Sequence, residues 1–398
     1  MERYKIALIS DWYFPKVGGI EYCMHSLAKT LIQEGHEVHI ITRSYPGIPQ
    51  YSTNDRITIV RVKSRPLPGQ KRFLMPGAYK ELYDLLKYGN YDIVNSHGLD
   101  SPLGMVALIA SRKLGLPSVI TNHSLVGHTY LSPLLYLAGK VLVRNADAVI
   151  AVSSAVEKDS RLMTEKPVYR ICNGIECEEN KFKSVLPIDR ERKILIVSVA
   201  RMTRKKGVQH LVNLAPSLLK KYDNLMFVMI GNGPLTKKLE KKVKKYGLSE
   251  NFYFTGEIPR KTVLDYLEQA DIFAHPSSDE GFGISILEAI LKKVPVVAMN
   301  HSGVSDIIEH GVNGYLADNL TDFSSCLQTL IENPGLRTEF SQKAAEGLPK
   351  YDWSKIYEQT CRVYTGVING KYQNSHLEHE SLPEKEYKKM LKKSDQRE

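Results

Sequence analysis

The chain has 398 residues, of which 42% are apolar, 25% charged and 9% aromatic, the balance of an ordinary globular protein, which excludes disorder throughout. At roughly 150 residues per domain, two domains are expected, each large enough to fold without disulfides or a structural metal. The net charge is +10, and the stretch Arg201–Lys261 carries 14 Lys/Arg against 4 Asp/Glu, a surplus of 10 equal to that of the whole chain, so an anionic partner is expected to concentrate there.

Cys23, Cys172, Cys177, Cys326 and Cys361 form an odd set without CxxC spacing, which argues against a disulfide framework and a zinc ribbon. No run approaches the roughly 20 apolar residues that span a bilayer, and the N-terminal apolar run is short. A cytoplasmic protein is expected.

In chain order, short β-branched runs alternate with helical patterns: KIALIS, a helix from Ile20 to Glu34, EVHIIT, TIVRV, a helix near residue 80, YDIVNS, PSVITN and DAVIAVS. Ile20, Met24, Leu27, Ala28, Leu31 and Ile32 share one stripe of the first helix, and Gly35 stands where a C-terminal cap belongs. The crossovers imply a parallel sheet covered on both faces. The polar stretch from Glu176 to Arg192 reads as a linker. A second series follows, KILIVSV, LMFVMIG, NFYFTG, DIFAHP and VPVVAM, and the two doubly wound sheets are expected to face each other. The boundaries predicted are 1–180, 181–351, a helix over 352–368 that crosses back to the first domain, and a polar tail over 369–398.

Open parallel sheets bind ligands beyond the carboxyl ends of their strands. The first such loop, SDWYFPKVGGIE, places Gly18 and Gly19 before a helix, where backbone amides approach an anion, although a plain turn explains two glycines equally well. It lacks the GxGxxG spacing of a dinucleotide fold. In KILIVSVARMTRKKG, Arg201 and Lys206 follow a strand and precede a helix, and a planar fork with a mobile point charge suits two linked phosphates, against the alternative of solvated loop cations. KKLEKKVKKYG reads as a solvated helix face.

The segment HPSSDEGFGISILEAI is the most informative. Glu280 stands before a glycine-containing turn and Glu288 two turns into the helix that follows. Each carboxylate can accept from vicinal hydroxyls, while Phe282, Gly283 and Ile284 present backbone N–H groups at the helix start. A helix-capping acid plus a surface glutamate is the competing explanation.

On these motifs the sequence resembles the retaining glycosyltransferases of family 4, with the GT-B fold. The resemblance covers about residues 4 to 365 and rests on GGIE, NHS at 122–124, NGI at 173–175, RMTRKKG, IGNGP and the E-x7-E segment PSSDEGFGISILEA. It implies that Arg201 and Lys206 bind the donor diphosphate and that Gly19 approaches it from the other domain. It further implies that Glu280 and the amides of Phe282, Gly283 and Ile284 hold the transferred sugar, that Glu288 takes the ribose, that the backbone of Ile258 reads the base, and that His123 faces the donor sugar. His97, in NSHG, is a candidate acceptor-side residue. Cys172, Glu176 and Asp306 depart from the family pattern.

The expected reaction is transfer of a hexosyl unit from a UDP- or GDP-sugar to a hydroxyl with retained configuration, without cofactor or metal. SDWYFPKVGGIE and TNHSLVG are similar to the catalytic subunits of phosphatidylinositol N-acetylglucosaminyltransferases, which points to a carbohydrate or a lipid-linked, inositol-containing acceptor. Residues 61–79 mix five basic residues with Leu67, Phe73, Leu74 and Met75, so an anionic membrane surface is a candidate partner beside the alternative of a mobile loop. A nucleotide-sugar 2-epimerase and a silent nucleotide-sugar-binding subunit are the rival functions. Nucleic acid is not an expected partner, because the lysines are not interleaved with stacking aromatics.

Overall fold

The computed structural model describes residues 2–15, 18–63, 78–125, 139–176, 184–189 and 193–372. Arg65, Lys71, Arg72 and most of the basic stretch 61–79, Cys177 with the adjoining linker residues, and the tail beyond residue 372 lie outside them. The chain forms two compact units. The first runs to Gly174 and resumes at Trp353, and the second is Ile175–Asp352.

The first unit is built on β1 (Lys5–Ile9), β2 (Glu37–Arg43), β3 (Tyr51–Asn54), β4 (Ile57–Val62), β5 (Ile93–His97), β6 (Ser118–Asn122), β7 (Ala148–Ala151) and β8 (Val168–Arg170), in the order β3-β4-β2-β1-β5-β6-β7-β8. Its crossovers include α1 (Gly19–Gln33), α2 (Ala78–Tyr88), α3 (Pro102–Leu114) and α4 (Ser154–Met163). Helix α1 buries Cys23, Met24, Leu27, Ala28 and Leu31. Gly35, at φ +95°, turns the chain out of it, with the His36 N–H donating to the Leu31 carbonyl at 3.0 Å, a left-handed exit that glycine adopts without strain.

The expectation of an all-parallel first sheet is corrected at one edge. Strand β3 pairs antiparallel with β4, Ser52 opposite Ile59, through a tight turn in which Asp55 and Arg56 have φ of 49° and 64°. Such a hairpin needs no crossover helix, so a short polar strand can flank an otherwise parallel sheet.

The second unit is wholly parallel. It contains β9 (Ile194–Val199), α5 (Val208–Lys221), β10 (Leu225–Ile230), α6 (Thr236–Lys245), β11 (Phe252–Gly256), α7 (Arg260–Leu267), β12 (Ile272–His275), α8 (Ile284–Leu291), β13 (Val296–Met299), β14 (Tyr315–Ala317), α9 (Leu320–Glu332) and α10 (Pro334–Glu346), with strand order β11-β10-β9-β12-β13-β14. On α6 only Leu239 and Val243 are buried, and the lysines around them are solvated, as their spacing predicts. The closing helix, α11 (Trp353–Tyr372), belongs to the first unit. There Asn95 Nδ2 donates to the Tyr364 hydroxyl at 2.6 Å, and the Tyr357 hydroxyl lies 3.2 Å from His36 Nε2.

Each sheet has one point where the strand order reverses: β1/β5 in the first unit and β9/β12 in the second. The loops leaving such adjacent strands diverge to opposite faces and leave a crevice between them. Strand order therefore decides which loops can share a site.

Candidate active site

In the second unit the loop after β9 carries Arg201 and Lys206, and the loop after β12 carries Glu280. The two strands are parallel neighbours, Ile196 beside Ile272 and Val197 beside Phe273, so both loops emerge at the same sheet edge. Gly207 brings them into contact. Its φ is +65°, and a Cβ there would lie 1.9 Å from the Pro276 carbonyl oxygen, a clash with backbone that only glycine avoids. The Ser277 hydroxyl adds a hydrogen bond to the Lys205 carbonyl at 3.3 Å.

The two loops meet through their side chains as well. Lys206 Nζ lies 2.6 Å from Glu280 Oε2, and Lys205 Nζ lies 2.8 Å from Asp279 Oδ2. His275, the last residue of β12, brings Nε2 to 3.3 Å from the same Glu280 oxygen. Burial alone would raise the Glu280 pKa, but the Lys206 ammonium and His275 outweigh it and hold the carboxyl down at about 2, so Glu280 is a carboxylate at any working pH. Arg201 is exposed, and its guanidinium enters no ion pair among the described residues.

Helix α8 begins at Ile284, which puts Glu288 in its second turn, nearer the helix start than the sequence suggested. Gly283 caps it at φ +101° without a side-chain cap. Among the described residues no backbone carbonyl takes the N–H groups of Phe282, Gly283 or Ile284, as at an uncapped helix start. Glu288 is 7% exposed and accepts a 2.6 Å hydrogen bond from Arg260 Nε. Burial raises its pKa, and Arg260 only partly offsets that. Ile258 lies between β11 and α7, and its backbone N–H and carbonyl enter no backbone hydrogen bond among the described residues.

The remaining predicted residues lie in the first unit. Gly19 is the first residue of α1, exposed, behind the extended residue Gly18 that provides no side-chain cap. His123 follows β6 at the edge beside β5, where His97 ends. His97 Nδ1 lies 3.0 Å from His123 Nε2 and the rings stack at 5.3 Å between centroids. Burial lowers the His123 pKa to about 4, which makes it a neutral imidazole near pH 7.

Sequence spacing does not reveal His275 or Arg260 as partners of the two glutamates. His275 sits one residue ahead of the E-x7-E segment and reads as the end of a strand. Arg260 merges into the basic stretch. Folding makes both contacts: the loop after β12 turns Glu280 back to His275 at the strand's end, and α7 packing on α8 brings Arg260 to Glu288.

Residues 17–179 match the model of Glycosyltransferase Family 4 and residues 178–347 that of Glycosyl transferases group 1. The GPI3 subunit of phosphatidylinositol N-acetylglucosaminyltransferase from Saccharomyces cerevisiae is 25% identical over 394 residues, 92% of this chain and 83% of the relative. The 2-deoxystreptamine N-acetyl-D-glucosaminyltransferase of Niallia circulans is 27% identical over 337 residues, 76% of this chain and 85% of the relative. Among solved structures, Anabaena Alr3699/HepE in complex with UDP and glucose superposes with a TM-score of 0.76 at 20% identity, over 92% of this chain and 100% of that one. Two parallel-sheet α/β units, an E-x7-E loop paired with a cationic loop at a strand-order reversal, and two family models that together span residues 17–347 lead to one conclusion: the chain belongs to the family 4 (group 1) glycosyltransferases of GT-B fold and is an enzyme of nucleotide-sugar glycosyl transfer.

Proposed function

We propose that the enzyme transfers a hexosyl unit, N-acetylglucosaminyl first among the candidates, from a UDP- or GDP-sugar to a hydroxyl of a lipid-linked, inositol-containing acceptor, retaining the anomeric configuration. The observation that carries the donor side is the Lys206–Glu280 pair at the β9/β12 reversal. It puts the phosphate-type cation and the sugar-type carboxylate within one hydrogen bond of each other.

As the glycosidic bond breaks, charge develops on the departing diphosphate. Lys206 and Arg201 stabilise it electrostatically, the contribution that is usually largest. Lys206 exchanges its contact with Glu280 for one with phosphate, which frees the Glu280 carboxylate to accept from hydroxyls of the transferred sugar. The N–H groups of Phe282, Gly283 and Ile284 add neutral donors to that sugar. Glu288 accepts from the ribose, Ile258 meets the base through its backbone, and Gly19 and His123 keep the roles that the family resemblance gives them. With the leaving group neutralised by side-chain cations, the reaction needs no divalent metal, so transfer is expected to persist in excess chelator.

The acceptor assignment is supported by the yeast relative's name, and the Niallia circulans relative's name favours a soluble aminocyclitol instead. UDP-N-acetylglucosamine supplied with phosphatidylinositol vesicles, and separately with 2-deoxystreptamine, distinguishes them. Product on the vesicles with the α-anomer by NMR is the expected result. Product only on the aminocyclitol would overturn the lipid assignment. Flotation with anionic vesicles, comparing wild type with neutralised Arg65, Lys71 and Arg72, tests the membrane surface as a partner. Binding lost on neutralisation is expected, and no binding by either protein would remove that surface from the proposal.

A further inference from the structure

In the first unit, His97 is 2% exposed, and its Nδ1 is committed to His123 Nε2 at 3.0 Å. Its other nitrogen, Nε2, is buried without a protein partner. Beside the pair is a cavity of about 20 Å³, whose lining includes His97, Thr121, His123, Cys172, Asn173 and Trp353. That is room for a single water, which needs about 10–15 Å³. A buried imidazole nitrogen left unpaired is costly, so a native fold keeps one only where something satisfies it.

We propose that His97 is a positioning residue for His123: it fixes the tautomer and ring plane of His123, and one water held in the adjoining cavity satisfies its own Nε2. The proposal rests on the reading that His123 faces the donor sugar, and it goes beyond that reading by assigning the residue that sets which His123 nitrogen carries the proton.

The chemistry follows from a shared proton. Burial lowers both pKa values, His97 well below its ordinary value and His123 to about 4, so both rings are neutral near pH 7 and the 3.0 Å contact contains one proton. Either His97 donates from Nδ1, leaving His123 protonated at Nδ1, or His123 donates from Nε2, leaving His97 protonated at Nε2. In each arrangement both rings are single tautomers, coupled to each other and to the cavity water. The pocket wall is already ordered for this: Thr121 Oγ1 donates to Asn95 Oδ1 at 3.0 Å, and Asn95 Nδ2 donates to Tyr364 at 2.6 Å.

The test uses the full chain with 15N-labelled histidine, the His123 ring signals being assigned by their loss in His123→Gln. Wild type is expected to show one His123 tautomer. His97→Phe, which keeps the ring and deletes its nitrogens, should give averaged tautomers and lower kcat by about tenfold or more, with KM for the donor sugar changed much less. His97→Asn retains a nitrogen near the Nδ1 position and should recover the single tautomer and most of the lost rate. If His97→Phe does not fold, His97→Gln, whose nitrogen is displaced from the Nδ1 position, serves in its place with the same expected losses. An unchanged His123 tautomer in the ring-nitrogen deletion overturns the proposal, as does an unchanged kcat. Full transfer by His123→Ala would instead overturn the role of His123, while the nitrogen spectra still decide the pairing.

Discussion

The Lys206 ammonium lies 2.6 Å from the Glu280 carboxylate across 74 residues of sequence, in a protein whose two strands feeding those residues are immediate parallel neighbours. The ion pair is half-buried, and under the proposed function each partner is the group that a donor sugar-diphosphate would claim. The resting pair leaves neither ion without a partner.

Removing the cation should therefore act mainly on the transition state. Lys206→Ala is expected to lower kcat by about 10² or more, the usual loss for one electrostatic donor to a developing oxyanion. Lys206→Arg should retain more activity than Lys206→Ala but less than wild type, because a planar fork replaces a mobile point charge. Steady-state transfer assays with a UDP-sugar read both.

The same pair makes stability depend on acid. The Glu280 pKa falls from its ordinary 4.5 to about 2 on folding. A depressed carboxylate contributes stability above its unfolded pKa and loses it as pH falls toward the folded value, here between about pH 4.5 and 2. The contribution is at most roughly 3 kcal/mol at neutral pH. Melting temperatures of wild type and Glu280→Gln should differ most at about pH 6 and converge as the pH falls toward about 2. Parallel curves would exclude the Lys206 contact as the cause.

Glu288 behaves in the opposite sense. Burial raises its pKa despite the Arg260 contact at 2.6 Å, so the ionised form carries a desolvation cost that ribose hydroxyls would relieve. Glu288→Ala is expected to weaken nucleoside diphosphate binding about tenfold or more, the loss of a charge-assisted hydrogen bond, with a smaller effect on kcat. Calorimetric affinity for the nucleotide, unchanged in the variant, would argue against a ribose contact.

Gly207 tests the scaffold rather than the chemistry. A Cβ at that position would meet the Pro276 carbonyl oxygen at 1.9 Å with φ at +65°, so Gly207→Ala must part the two loops. It is expected to lose both stability, by about 2 kcal/mol or more, and transfer activity. A wild-type melting temperature would show that the loops do not depend on this approach.

Much of this architecture is legible in the amino-acid sequence alone. The strands from Ile194–Val199 to Val296–Met299 announce themselves as β-branched runs, and α1 shows its buried stripe and glycine exit. Tyr51–Asn54, Val168–Arg170 and Tyr315–Ala317 do not, since none of them contains a run of buried apolar residues. Arg201, Lys206, Glu280 and Glu288 are recognisable through their motifs. The contacts of His275 with Glu280, of Arg260 with Glu288 and of His97 with His123 are not, because they arise from the loop after β12 folding back on its strand, from helix packing and from register between β5 and β6, none of which a linear pattern encodes.

The central claim is that Lys206 and Arg201 grip the diphosphate of a nucleotide sugar in the second unit. Calorimetric titration of UDP and GDP into the full chain, wild type against the Arg201→Ala/Lys206→Ala double variant, tests it most directly. At least one nucleotide should bind wild type and bind the double variant at least about tenfold more weakly, the effect of deleting charge-assisted contacts worth about 1.4 kcal/mol or more. Equal affinity of the two proteins for that nucleotide would contradict the account.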